Sequence, residues 1–270
     1  MSHPALFEGD TAGIAPGEKA DPAQRPGGSR PSKHGRPPMW SIFLVVLVMA
    51  LGAVGYLAVR RWQETSDGAA IRPSGIPASV PTDIADLMEL SPVPNQPAPD
   101  FTLVDQKGKT LSLSGFRGRS VVLEFMDPHC TDICPIVSQE FVDAFRDLGP
   151  NATKTVFMAV NVNAFHGSVA EMAAYSKEQG LNAIPNWHFF TGPNASLRKV
   201  WGDYGVYVDA PNPNADVIHT SIVFFIGPQG RERFTAVPMD DHTKSGNAFL
   251  PAASLTSWGR GIALVMSHLS

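Results

Sequence analysis

From Met39 to Val59 the chain carries no charged residue, and this run limits its possible folds more than any other feature. As a helix rising ~1.5 Å per residue it reaches roughly 30 Å, the thickness of a bilayer's hydrocarbon core. A helix buried in a globular core would be punctuated by strongly polar residues, and none is present. A cleaved signal peptide fits poorly, because residues 1–38 precede the run and no small-residue cleavage site follows it. Trp40, Tyr56 and Trp62 stand where an interfacial aromatic belt would lie, and Arg60 and Arg61 close the far end. An uncleaved transmembrane anchor is therefore expected over residues 39–59. Lys19, Arg25, Arg30, Lys33 and Arg36 precede it, against Arg60, Arg61 and Arg72 behind. That positive-inside bias predicts a single-pass membrane protein with a cytoplasmic N-terminus and an extracytoplasmic, periplasmic-side C-terminal domain.

Residues 1–38 are broken by Pro4, Pro16, Pro22, Pro26, Pro31, Pro37 and Pro38 and bury too little to offset ordering entropy, so a disordered tail is expected. Residues 60–97, rich in Pro, Ser and Ala, read as a linker with a short helix over 83–90. Residues 98–270 have the pattern of one folded domain. With 43% hydrophobic residues the chain can build a core; a net charge of −4 and a pI near 6.0 exclude a dedicated nucleic-acid binder.

Within the domain, strands are expected over 101–104, 120–126, 155–162 and 187–191, and a hairpin over 220–236 turning at Gly227-Pro228-Gln229-Gly230. Val137, Phe141, Ala144, Phe145 and Leu148 recur at helical spacing and stop at Gly149-Pro150. Further helices are expected over 168–179, 195–203 and 255–269. Alternating strands and helices followed by a hairpin predict an α/β fold around a mixed sheet.

Cys130 and Cys134 are the chain's two cysteines, and they sit where an apolar strand hands over to a helix. Thr131 or Asp132 can cap that helix and Pro135 fits its first turn. Free N–H groups at a helix start favour thiolate over thiol. Four residues apart on a helix, the pair can form a disulfide or share a metal ion. Two soft thiolates suit Cu(I), and an added imidazole makes a three-coordinate site that also accommodates Cu(II). A closed zinc site would want four ligands, which the nearby donors do not supply. His219 opens a strand and shares a face with Ser221 and Val223. His129, His166, His188 and His242 are equally available, and spacing alone does not choose among them.

The order of motifs resembles the Sco/SenC family: Ala98-Pro99-Asp100-Phe101-Thr102-Leu103, Leu113 to Gly118, Cys130-Thr131-Asp132-Ile133-Cys134-Pro135, His219-Thr220-Ser221 and Ile226 to Gly230. Members are membrane-anchored, thioredoxin-like copper proteins that help assemble the copper centre of cytochrome c oxidase. The resemblance implies a thioredoxin-like mixed sheet flanked by helices and preceded by one transmembrane helix. It also implies copper as cargo, with Cys130, Cys134 and His219 as its ligands. The partner it implies is a copper-acceptor subunit of a respiratory oxidase or another copper chaperone. Thr131 stands where the family usually has Pro, Ile218 where Asp commonly precedes the histidine, and Asn161-Val162-Asn163-Ala164-Phe165 replaces an Asp-Pro stretch.

Glu124 lies inside an apolar strand, six residues before Cys130, the offset of the buried acid in thioredoxin. There it can shuttle a proton during thiol–disulfide exchange, or simply reach solvent or a basic partner. Two functions are therefore expected to compete. One is a copper metallochaperone without turnover of its own. The other is a membrane-anchored thiol–disulfide oxidoreductase in which Cys130 attacks, Cys134 resolves and Glu124 manages the proton. A peroxidase of the peroxiredoxin type leaves the Cys-x-x-x-Cys pair and the distant histidine unexplained.

Overall fold

In the computed structural model the described residues are 39–67 and 74–270, so the tail expected over 1–38 lies outside them. The chain divides into two units, Met1–Ser66 and Asp67–Ser270. What is described of the first unit is one helix, α1 (Met39–Asp67), which runs on past Arg60 and Arg61. Its described side chains, among them Trp40, Leu44, Leu47, Leu51, Val54 and Leu57, are exposed. The side chains of 39, 41–43, 45–46 and 61–67 are outside the described ones. Among the described residues, no helix is long and apolar enough to cross a membrane.

The second unit begins earlier than the sequence suggested. Residues 74–97, expected as linker, fold onto the domain. Ile76, Val80, Ile84, Met88 and Leu90 are buried in its core, the last three in or just after α2 (Thr82–Leu87). Each such side chain gains about 1.5–3 kcal/mol on burial, enough to dock a Pro-rich segment that has no long helix of its own. β1 (Ser91–Pro92) then adds a short edge strand to the main sheet.

β2 (Thr102–Val104) and β3 (Thr110–Ser112) form a small hairpin ahead of β4 (Ser120–Met126). All seven residues of β4 are buried, as expected for a strand covered on both faces. It leads through the cysteine loop into α3 (Ile133–Asp147), then β5 (Thr155–Asn161), α4 (Val169–Glu178), β6 (Trp187–Phe190) and α5 (Asn194–Asp203). A two-strand ribbon follows, β7 (Val208–Asp209) with β8 (Ile218–His219), and then the expected hairpin, β9 (Val223–Ile226) and β10 (Glu232–Ala236). A second small ribbon, β11 (Asp241–His242) with β12 (Ala248–Phe249), precedes the closing helix α6 (Ala252–Leu269). Neither ribbon has a sequence signal long enough to read.

The main sheet has the order β1-β10-β9-β4-β5-β6, parallel across β4, β5 and β6 and antiparallel elsewhere. Side-chain alternation along β4 decides which layer each residue joins. Val121, Leu123 and Phe125 face α5 and the β2–β3 hairpin, while Val122 and Met126 face α3 and α6. Glu124 has the parity of Val122 and Met126, so it points into the layer of the helix that carries Cys134.

Candidate functional site

Asp127 shapes the loop that delivers the first cysteine. Its Oδ1 accepts from the His129 N–H at 2.9 Å and from Asn163 Nδ2 at 3.0 Å, and its carbonyl accepts from the Cys130 N–H at 3.1 Å. Asp132 occupies the position ahead of α3, but neither it nor Thr131 makes the expected side-chain cap. The helix start is served instead by sulfur: the Cys134 N–H donates to Cys130 Sγ at 3.5 Å. Both cysteines are free thiols, Cys130 half-buried and Cys134 buried.

That contact makes the pair asymmetric. The hydrogen bond from the Cys134 side chain draws the Cys130 thiol down to about 7, against its partial burial and the Asp127 carboxylate. The same bond, with burial, pushes the Cys134 thiol well up. Near neutral pH thiolate on the reduced pair is thus borne by Cys130, the sulfur closer to solvent.

His219 reaches the site from β8, held by pairing with Val208 and by the Thr220 N–H donating to the Tyr207 carbonyl at 3.0 Å. Its Nδ1 lies 3.1 Å from the Thr220 carbonyl, which can only accept, so Nδ1 carries the proton and Nε2 the lone pair. Burial pushes the ring's pKa down and keeps it neutral. A neutral imidazole anchored through one N–H to a backbone carbonyl is the usual state of a metal ligand.

Cys130 and His219 line one open cavity of about 690 Å³. Its walls include Asp127, Asp132 and Asp216 and no lysine or arginine, so its field favours cations. Among the described residues, the trios of His, Cys, Asp and Glu with ligand atoms all within 4.8 Å are His129–His166–Glu171 and Asp132–Asp240–His242. Cys130, Cys134 and His219 are not drawn together to that degree; Cys130 and His219 line the cavity, while Cys134 is buried. Of the other histidines weighed from sequence, His129 and His166 line the same cavity and meet Glu171, while His188 and His242 are paired with carboxylates. His188 Nδ1 pairs with Asp105 Oδ2 at 3.1 Å, and His242 Nε2 lies 3.3 Å from Asp132 Oδ1.

Glu124 is buried beneath the pair. Ser221 Oγ donates to its Oε1 at 3.1 Å, while Oε2 has no hydrogen-bond partner. Burial raises its pKa to about 8, partly opposed by the Ser221 bond, so the acid is mostly neutral at pH 7. Its charge, when present, acts on Cys134.

A model of the SCO1/SenC family matches residues 91–246, more than half of the chain. The chain belongs to the SCO1/SenC family. It is 29% identical over 137 residues to the mitochondrial SCO2 homolog of Bos taurus, an alignment covering 48% of this chain and 50% of that protein. The chain thus spans about half the length of such mitochondrial relatives. The fold is shared with a SCO1/SenC family lipoprotein of Bacillus anthracis (TM-score 0.53, 19% identity, 66% of this chain and 97% of that one). It is likewise shared with copper-bound ScoI of Bradyrhizobium japonicum (TM-score 0.50, 22% identity, 64% and 99%). The mixed α/β sheet is therefore thioredoxin-like, as the resemblance implied.

Several residues around the site were not foreseen. Where the SCO1/SenC pattern has Asp-Pro, Asn161 and Asn163 build the loop by other means. Asn161 Nδ2 donates to the Asn163 and His166 carbonyls at 3.0 and 3.1 Å, and Asn163 Oδ1 accepts from the Phe165 and His166 N–H groups at 3.0 and 3.1 Å. The Asn-x-Asn spacing was the available signal, since such side chains fold turns on themselves. Glu140 was missed entirely. It is buried on α3, neither oxygen has a hydrogen-bond partner, and burial together with Glu124 holds its pKa well up. Residues 246–248, beside β12, form part of the cavity wall, a role with no sequence cue.

Proposed function

We propose that this chain is a copper-binding assembly factor that delivers copper to, or matures, the copper centre of a cytochrome c oxidase. The observation that carries the reading is one cation-attracting cavity lined by Cys130, whose thiol is drawn down by its contact with Cys134, and by the neutral, carbonyl-anchored imidazole of His219. Membership of the SCO1/SenC family supports it, as does the copper reported in the Bradyrhizobium japonicum relative. Copper is cargo here, and the donor set suits it. Cys130 and Cys134 supply soft sulfur for Cu(I), and His219 Nε2 adds the nitrogen that makes Cu(II) acceptable. Binding removes the Cys134 proton, and a protonated Glu124 below avoids adding a second negative charge beside the new thiolate. Because Cys130 and His219 line the cavity without meeting as closely as ligands of one ion, loading draws the β8 segment and the cysteine loop toward each other. An acceptor rich in thiolate and imidazole, such as an oxidase copper subunit or another chaperone, then takes the ion by sharing ligands.

The uncharged run 39–59 supports anchoring there, and the excess of basic residues ahead of it supports a domain on the extracytoplasmic side. A C-terminal topology reporter tests that placement. Equilibrium dialysis of the full chain against buffered Cu(I) tests the copper reading. One equivalent is expected, lost in Cys130→Ser and in Cys134→Ser; undiminished binding in either variant contradicts it.

The asymmetric thiols favour a second reading, a thiol–disulfide oxidoreductase. Cys130, half-buried and thiolate-prone, attacks a partner disulfide, and Cys134 resolves the mixed disulfide with Glu124 carrying the proton. Disulfide reduction that persists in His219→Ala and falls in Glu124→Gln supports this reading over the carrier.

A further inference from the structure

Close to Cys130 lies a second set of donors that the copper reading leaves unused: His129 and His166 line the same cavity, and Glu171 meets both. His129 comes from the loop after β4, His166 from the loop after β5, and Glu171 from the first turn of α4, with ligand atoms all within 4.8 Å of one another. We propose that His129 Nε2, His166 Nδ1 and Glu171 Oε1 form a second metal site for a divalent borderline cation, Zn(II) or Cu(II).

The carboxylate is already oriented for this. Glu171 Oε2 closes the capping box of α4, accepting from the Ser168 N–H at 2.8 Å and from Ser168 Oγ at 2.7 Å. That leaves Oε1 to face the imidazoles, 3.4 Å from His129 Nε2 and 2.9 Å from His166 Nδ1. Partial desolvation opposes its charge, but the bonds from Ser168 and the two histidines prevail and hold Glu171 down at about 2.

His166 has the second contact expected of a metal ligand. Its Nε2 lies 3.0 Å from the Pro213 carbonyl, which can only accept, so Nε2 bears a proton and Nδ1 is the nitrogen free to ligate. In the metal-free protein a second proton must occupy Nδ1 to satisfy the contact with Glu171. A bound cation takes that proton's place. The His129 ring packs against His166 with centroids 3.9 Å apart at 33°.

The spacing agrees. Four-coordinate bonds of about 2.0–2.1 Å put neighbouring ligand atoms roughly 3.3 Å apart. The His129–Glu171 edge already has that length, and the His166–Glu171 edge must open by about 0.4 Å. Two imidazoles and one carboxylate suit Zn(II) and Cu(II), whereas Mg(II) and Ca(II) prefer all-oxygen sites and Cu(I) prefers the neighbouring sulfurs. The ion would tie the cysteine loop to the loop before α4.

The test is a titration of the full chain carrying Cys130→Ser and Cys134→Ser, using Zn(II) alone and then Cu(II) alone. One equivalent of each is expected to remain bound, with nitrogen and oxygen but no sulfur ligation by X-ray absorption. His129→Gln, at an exposed position that a folded chain tolerates, should weaken binding roughly tenfold or more, and Glu171→Gln should do the same. Absence of retained metal in the folded thiol-free chain overturns the proposal, as does retention that ignores both substitutions. Cu(I) binding to the chain with both cysteines and Glu171→Gln is read in parallel, which separates failure of this site from failure of the copper site.

Discussion

Ser221 Oγ donates a hydrogen bond to Glu124 Oε1 at 3.1 Å, tying the segment that carries His219 to the buried acid beneath the cysteines. Ser221 lies in the short link between His219, the last residue of β8, and Val223, the first of β9, and Glu124 faces the layer of α3. The imidazole and the acid are thereby parts of one packed unit.

Glu124 should give the fold a distinctive pH response. Its ordinary pKa is 4.5 and the folded value about 8, so the folded chain holds the extra proton between them. Stability from this group is complete below about 4.5 and is lost as pH rises through about 8. The loss is on the order of a few kcal/mol. Denaturant midpoints of Glu124→Gln should fall less from pH 5 to pH 8.5 than those of the parent; parallel curves would falsify this assignment.

The Cys130 thiolate should depend on its partner. Alkylation of reduced chain is expected to rise with a midpoint near pH 7, the value to which the Cys134 bond lowers it. Cys134→Ala removes that donor and should move the midpoint upward, toward the ordinary thiol value of 9. An unchanged midpoint in the variant argues against the hydrogen bond.

The docked segment before β1 makes Gly261 of α6 intolerant of a side chain. A Cβ there would collide with Met88 Sδ and lie 2.7 Å from Ile84 Cγ2. Overpacking of this kind costs about 1–3 kcal/mol, against about 1 kcal/mol gained by replacing Gly with Ala in a helix. Gly261→Ala should therefore fail to stabilise, and Met88→Ala combined with it should lose less than the sum of the single changes. A clear rise in Tm for Gly261→Ala would show that residues 76–90 do not press on α6.

Much of this architecture was legible in the sequence. The apolar runs of β4 and β5, the helical spacing of Val137, Phe141 and Ala144, and the hairpin turn at Gly227–Gly230 carry strong periodic or turn signals, and each element lies where expected. The segment 74–97 was misread because burial there comes from scattered residues, Ile76, Val80, Ile84 and Met88, between prolines. Only the tertiary partner, α6, reveals their role. The β7–β8 and β11–β12 ribbons are two residues per strand, too short for any period to show. The sulfur pair was visible from its spacing and the Asn161–Asn163 turn had a local signal, but the Asp127–Asn163 bond was not legible, because it joins residues whose proximity depends on the β4–β5 pairing.

The central claim is that the imidazole of His219 completes a sulfur site for copper. It is tested most directly by comparing Cu(II) and Cu(I) affinities of the parent chain and His219→Ala at pH 7. Cu(II) binding should weaken strongly, by roughly a hundredfold or more, while Cu(I) binding to Cys130 and Cys134 weakens far less, as expected for a soft ion held by thiolates. Equal Cu(II) affinity in the two chains would contradict the claim.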